Sequence, residues 1–209
     1  MRRISWERLA ALAGAAFAVL YIVAFVGLGI EVGNSDRELL DYYASSSHRT
    51  KEMVAFFLIS GAALSLLVFA TALRSMIRLR EQDGSMVGSL VLAGGTAKAA
   101  LILAGNAISR GAGFASLDKD FHLDPNTRRY FEDVGFLLFT SGALAGILLV
   151  VGVSLAALRY GLLPRWLGWA GFVVALLLPT AIAFIGFLIF LVWLLAVSVA
   201  LALRRTAAV

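Results

Sequence analysis

From Trp166 to Leu203 the chain runs for 38 positions without a charged side chain. A helix needs about 20 predominantly apolar residues to cross the hydrocarbon core of a bilayer. The stretch is therefore too long for one crossing and just long enough for two. Pro179-Thr180 is the natural break, because proline lacks an amide hydrogen and clashes with the preceding turn. The split predicts a short fifth helix over 162–178 and a sixth over 181–203. Four further apolar stretches meet the length requirement, at 9–30, 53–73, 86–108 and 134–158. Hydrophobic residues make up 61% of the chain, far above the roughly 45–50% of a soluble domain, so lipid is its solvent. The expected fold is all-α: one transmembrane domain over 1–209, a six-transmembrane-helix bundle built of three hairpins, with outer segments at 31–52 and 109–133.

Charge placement tests the split at Pro179. Five helices would leave Arg204-Arg205 outside and six put them inside, as the excess of basic residues in cytoplasmic loops requires. The inner segments then hold Arg2, Arg3, Arg8, Arg74, Arg78, Arg80, Arg159, Arg165, Arg204 and Arg205. That is ten basic residues in about 33 positions, against seven in about 46 outside. Glu7, Glu81 and Asp83 are the inner acids, and the other ten acids lie outside. Both termini are thus expected in the cytoplasm, with Trp6, Trp166 and Trp169 at the inner interface. The net charge of +5 reads as a topology signal rather than a nucleic-acid footprint, and no nucleic-acid partner is expected. The basic start at Met1-Arg2-Arg3 resembles a secretory signal, but its apolar run of 22 residues to Ile30 exceeds the roughly 7–15 of a signal core. An uncleaved first span is expected.

Both outer segments carry helix-start signals. Ser35 precedes Asp36-Arg37-Glu38 with capping-box spacing, in which the serine side chain and the third helical residue satisfy each other's amides. Asp124-Pro125 is an N-cap followed by proline at the first helical position. Leu39, Leu40, Tyr42 and Tyr43 place the first of these helices on the membrane surface or over the bundle as a cap. A faint repeat at an offset of 81 residues matches Ser60-Gly61-Ala62 with Ser141-Gly142-Ala143, Gly14 with Gly95, Ala18 with Ala99 and Arg78 with Arg159. It suggests two related hairpins followed by a third, tighter one.

Lys98 is the one basic residue in the middle of a span. Such a group costs about 2.5–3.5 kcal/mol on insertion scales and is by default a functional hypothesis. No carboxylate lies within any predicted span. Its partner is then an outer acid reaching inward, a hydroxyl of Thr96, Thr140 or Ser141, a backbone carbonyl, water or an anionic ligand. The plainer reading is a lysine whose stem snorkels to an interface or lines a hydrated crevice. Lys98, Thr96, Asn106 and Ser141 form the candidate ligand set, although Asn106 on its own reads first as a bond to a neighbouring helix. Gly94-Gly95, Gly105 and the Gly142/Gly146 pair are read first as close helix packing and second as dimerisation.

Asp118, Asp120 and His122 alternate with other residues in the second outer segment, a pattern of oxygen and imidazole ligands that suits a divalent cation. A solvated charged loop is the plainer reading. His48 is the other histidine of only two, so a three-histidine zinc site cannot be built. Zero cysteines remove disulfides, thiolate metal sites and cysteine nucleophiles. The chain holds no GxSxG elbow, Walker loop or HExxH, and no motif calls for a cofactor. With no Asp, Glu or His inside a span, conventional proton-coupled transport is disfavoured.

The segment Leu163-Pro164-Arg165-Trp166-Leu167-Gly168-Trp169-Ala170-Gly171, the closing apolar hairpin ending in Arg204-Arg205, and Ser47-His48-Arg49 before the second span resemble a broad group of uncharacterised bacterial multi-pass membrane proteins. That resemblance implies about six helices and a bacterial plasma membrane, and it lends no catalytic residue. The leading expectation is noncatalytic binding of a lipid, a small hydrophobic ligand or a partner protein, with membrane lipids and a homo-oligomer among the partners. The alternatives are a small transporter or channel with Lys98 facing an anionic solute, and a membrane enzyme acting on lipid-linked substrates.

Overall fold

The computed structural model describes residues 6–28, 35–81, 85–118 and 120–204, without the side chain of Ala183. Arg2, Arg3, Asn34, Asp83, Lys119 and Arg205, which enter the sequence argument, lie outside these residues. Among the described residues there are seven α-helices and no strand: α1 Trp6–Ile22, α2 Asp36–Ala44, α3 Ser46–Arg78, α4 Val87–Ala115, α5 Pro125–Tyr160, α6 Arg165–Leu177 and α7 Ile185–Leu203. A π-helical turn, Val23–Gly27, extends α1, and a 3-10 turn, Leu178–Ala183, extends α6. Six of these helices are long and apolar enough to cross a membrane, as in a multi-pass membrane protein.

Three helices outrun the predicted spans. At about 1.5 Å per residue, the 33 residues of α3 make a rod of about 50 Å, against roughly 30 Å of hydrocarbon. The surplus of α3, α4 and α5 converts most of the outer segments into helix. Ser46 to Glu52 joins α3, Ser109 to Ala115 joins α4, and Pro125 to Asp133 joins α5. Among the described residues only α2 stands as a separate outer helix. Its capping box forms: Glu38 N donates to Ser35 Oγ at 3.2 Å and Ser35 N donates to Glu38 Oε2 at 3.1 Å. Leu39 and Tyr43 of α2 are buried, so α2 packs on the bundle as a cap. Asp124 caps α5 by accepting from Thr127 N at 2.8 Å.

The six long helices form a ring in which each packs on its sequence neighbour and α7 returns to α1. Neighbours run antiparallel. Gly61 faces Leu20, Gly14 faces Phe69, Arg110 meets Glu52, Gly105 meets Gly135 and Gly152 meets Val91. The start of α1 and the end of α7 therefore share one end of the bundle, and α2 covers the other. At the terminal end, Glu81 Oε1 accepts from Gly88 N at 2.9 Å and caps α4 across the turn. There Arg204 Nη2 also donates to Gly161 O at 2.6 Å. Trp166 and Trp169 are exposed beside this end, as interfacial anchors are.

The closest crossing joins α4 and α5. A Cβ on Gly94 would strike the backbone nitrogen of Leu149, and a Cβ on Gly146 would come within 2.9 Å of Lys98 Cδ. The glycines thus pack within the chain, and Gly142 and Gly146 spend their surface on α4. Gly61 meets Leu20, and Gly142 meets Leu101, two contacts offset by 81 positions in the chain.

The predicted break at Pro179 is displaced. Pro179 cannot donate the α-helical bond, so the chain tightens into the 3-10 turn rather than stopping. Reversal comes five residues later at Phe184, whose φ of 61° is left-handed. The last helix consequently starts at Ile185 and not at 181.

Candidate functional site

Lys98 points into the ring. It is fully buried on α4, with Nζ 4.5 Å from the ring centroid of Phe190 and 5.8 Å from that of Phe187. Both rings belong to α7, and Gly146 of α5 leaves the room in which the lysine stem lies. Nζ has no hydrogen-bond partner among the described residues. Snorkelling is thereby excluded, and the ring faces supply the attraction a cation receives from an aromatic quadrupole. Phe17 also packs on Phe190, edge to face at 6.1 Å. Phe17 and Lys98, 81 positions apart in the chain, thus meet at the same phenylalanine of α7.

Thr96 and Ser141 do not join Lys98. Both are exposed on the outside of the bundle, Thr96 because two residues rotate an α-helix by about 200°. Ser141 is turned away in the same manner by the inward placement of Gly142 against α4. Asn106, two turns beyond Lys98, is buried, and Nδ2 donates to Phe56 O at 3.0 Å and to Ser60 Oγ at 3.2 Å. This is the bond to a neighbouring helix expected from the sequence. Because a backbone carbonyl can only accept, it fixes which way the amide faces. Asn106 Oδ1 is then an acceptor without a partner among the described residues.

Among the described residues no carboxylate reaches Lys98, and the buried one is engaged elsewhere. Glu52 is almost fully buried and receives Arg110 Nη1 at 2.9 Å. Tyr43 Oη donates to the other Glu52 oxygen at 3.4 Å and itself accepts from Arg128 Nε at 2.6 Å. Arg128 continues to Glu132 at 3.1 Å. Burial beside Glu52 pushes the Tyr43 phenol well above its ordinary range, so it acts as a neutral relay between the two ion pairs. Sequence reasoning missed Glu52, Arg110 and Arg128, counting them as outer-loop charges. The available signal was their position at the ends of spans whose helices run on past the hydrocarbon.

Between this network and the aromatic interior lies a cavity of about 460 Å³. Asn106, Ser109, Arg110, Glu132 and Asp133 form its polar side, and Tyr21, Phe25, Phe136, Phe139 and Phe184 its aromatic side. The two irregular backbone segments both face it. Phe25 comes from the π turn, and Phe184 from the left-handed reversal. Phe184 sits between Phe25 at 5.3 Å and Phe136 at 5.4 Å. A left-handed non-glycine residue costs about 1–2 kcal/mol, and strain of this kind gathers at functional sites. Tyr21 and Phe139 close the floor against Phe187 at 4.6 and 4.9 Å. Phe187 is in turn the ring nearest the cavity that Lys98 faces.

The metal candidates are not assembled. Asp118, Asp120 and His122 are exposed, and Asp118 Oδ1 is occupied by Asp120 N at 3.0 Å. Asp118 and His122 share a cavity that Arg49 also lines, which places a guanidinium against any cation. Among the described residues no three metal-ligating side chains come together. No family model, curated protein or solved structure matches this chain.

Proposed function

We propose that the chain is a noncatalytic binding protein of the bacterial plasma membrane, three hairpins with both termini cytoplasmic, that holds a small amphiphile in the cavity beneath α2. The observation that carries the reading is the two-sided cavity, polar toward the Glu52–Arg110 network and aromatic toward Phe184. Binding sites of this size combine apolar walls with a few placed polar groups. The concentration of basic residues at the terminal end supports the orientation.

Native mass spectrometry of protein released from its own membrane tests the reading. A bound amphiphile is expected on the native chain and lost in Ile59→Trp, which fills the cavity from α3. No adduct, or the same adduct on Ile59→Trp, overturns it.

A second reading, a small transporter with Lys98 facing an anionic solute, draws on the unpartnered Nζ beneath the cavity floor. Anion flux in reconstituted vesicles that survives Lys98→Met removes Lys98 from that role.

A further inference from the structure

Three hydrogen-bond donors open on this cavity with bonds still to give. Tyr21 lines it and is only 4% exposed, yet its Oη makes no hydrogen bond with a described residue and is not sealed off by protein. A buried phenol normally finds a partner. Arg110 is the second donor, its side chain 9% exposed. It spends Nη1 on Glu52 at 2.9 Å, while Nε and Nη2 bond to no described residue and are likewise not enclosed. Ser109, half-buried in the same lining, is the third. Ser116 on the same helix donates back to Ala112 O at 2.7 Å, but the Ser109 hydroxyl donates to no described residue. It lies instead against Gly135 of α5, where a Cβ would strike it.

The charges beside these donors are already balanced, Arg110 by Glu52 and Glu132 by Arg128. Asp133, exposed at the mouth, adds a negative charge that repels an anion. The site thus calls for an acceptor that carries no charge of its own. A carbonyl oxygen meets that need, with two lone pairs and no hydrogen to give. Phe25, Phe136, Phe139 and Phe184 form the facing wall, and aromatic rings pack on flat aromatic bodies.

Resting on the cavity-binding reading above, we infer that the ligand is a neutral aromatic carbonyl compound whose oxygen accepts from the donors of Tyr21, Ser109 and Arg110. Its ring lies among the four phenylalanines. A compound of this kind reaches the cavity either as a free aryl ketone or as the headgroup of a prenylated quinone dissolved in the bilayer.

The test uses the full chain in phosphatidylcholine nanodiscs with radiolabelled 2-acetonaphthone as probe, and with 2-ethylnaphthalene and 2-naphthoate as acceptor-free and anionic counterparts. Referred to concentration in the bilayer, the ketone is expected to bind at least about tenfold more tightly than the hydrocarbon, as hydrogen bonds from a charged donor imply. Tyr21→Phe keeps the ring and removes only an unpartnered hydroxyl, so the fold is retained. It is expected to weaken the ketone about fivefold and leave the hydrocarbon unchanged. Displacement of the ketone by a prenylated naphthoquinone in the bilayer assigns a lipid-borne source, and no displacement a free aryl ketone; either outcome supports the chemistry. Equal binding of ketone and hydrocarbon, tighter binding of the naphthoate, or ketone binding unchanged in Tyr21→Phe overturns the ligand class while leaving a cavity that Ile59→Trp still blocks. Binding that Ile59→Trp leaves untouched overturns both readings.

Discussion

Arg110 reaches across from α4 to hold Glu52 of α3 at 2.9 Å, two charges 58 positions apart and both buried beneath α2. Their pairing closes the α2 end of the bundle, and Tyr43 and Arg128 extend it to α5. Removing one partner of such a pair leaves an uncompensated buried charge and costs about 3–5 kcal/mol. Glu52→Gln is therefore expected to lower the melting temperature in detergent sharply. Glu52→Gln combined with Arg110→Met should recover part of the loss, because no charge then remains unpaired. A double variant as unstable as the sum of the single ones would show that the two residues do not act as a pair.

Lys98 presents the opposite case. Its Nζ lies among Phe187 and Phe190 with no hydrogen-bond partner described, so the charge costs more than the rings return. Lys98→Met, of similar shape, is expected to leave the fold intact and raise thermal stability by about 1 kcal/mol or more. Thermal unfolding of the two proteins in one detergent decides it, and a destabilised Lys98→Met would show that the lysine has a partner it depends on.

The crossing of α4 on α5 makes a matched pair of glycine variants informative. Gly94→Ala drives a methyl into the backbone of Leu149, and overpacking of this kind costs about 1–3 kcal/mol. Gly111→Ala, on the same helix with nothing within 4 Å of the added carbon, should be neutral or slightly stabilising through helix propensity. Equal melting temperatures for both would contradict the close crossing.

Phe184 combines a strained backbone with a ring in the cavity wall. Phe184→Gly relieves the left-handed cost of about 1–2 kcal/mol but loses the tilted ring contacts with Phe25 and Phe136. Stability should change little while ligand retention falls. Unfolding measured beside native mass spectrometry separates the two, and undiminished retention would remove Phe184 from the site.

The capping box at α2 gives a pH signature. Hydrogen bonds from Ser35 hold the Glu38 carboxyl below its ordinary range. A depressed folded value means the stabilisation is present above the unfolded carboxyl range, about pH 4.3, and is lost as pH falls through the folded value. Hydrogen exchange of the 36–44 amides should therefore accelerate, relative to the long helices, as the pH is taken below about 4. In Ser35→Ala that acceleration should disappear because α2 is already loosened at neutral pH.

The six long apolar helices, both outer helix starts, the packing role of Gly94 and Gly146, and the placement of Lys98 within an apolar helix were legible in the sequence. Hydropathy, cap chemistry and small-residue spacing are local properties that need no knowledge of neighbours. Local reasoning failed where a residue's meaning depends on what lies across the ring. Thr96 and Ser141 sit near Lys98 in depth but face outward, a matter of helical phase against partners the sequence does not name. Glu52, Arg110 and Arg128 read as loop charges because a hydropathy window ends a span where the hydrocarbon ends, whereas the helices continue by several turns. Only tertiary structure decided that Arg110 takes the buried carboxylate and Lys98 takes two rings. It also brought Asn106, Asp133, Phe25 and Phe184, from α4, α5, the π turn of α1 and the turn before α7, to one cavity. Such convergence is fixed by the packing of separate helices, and no single stretch of chain encodes it.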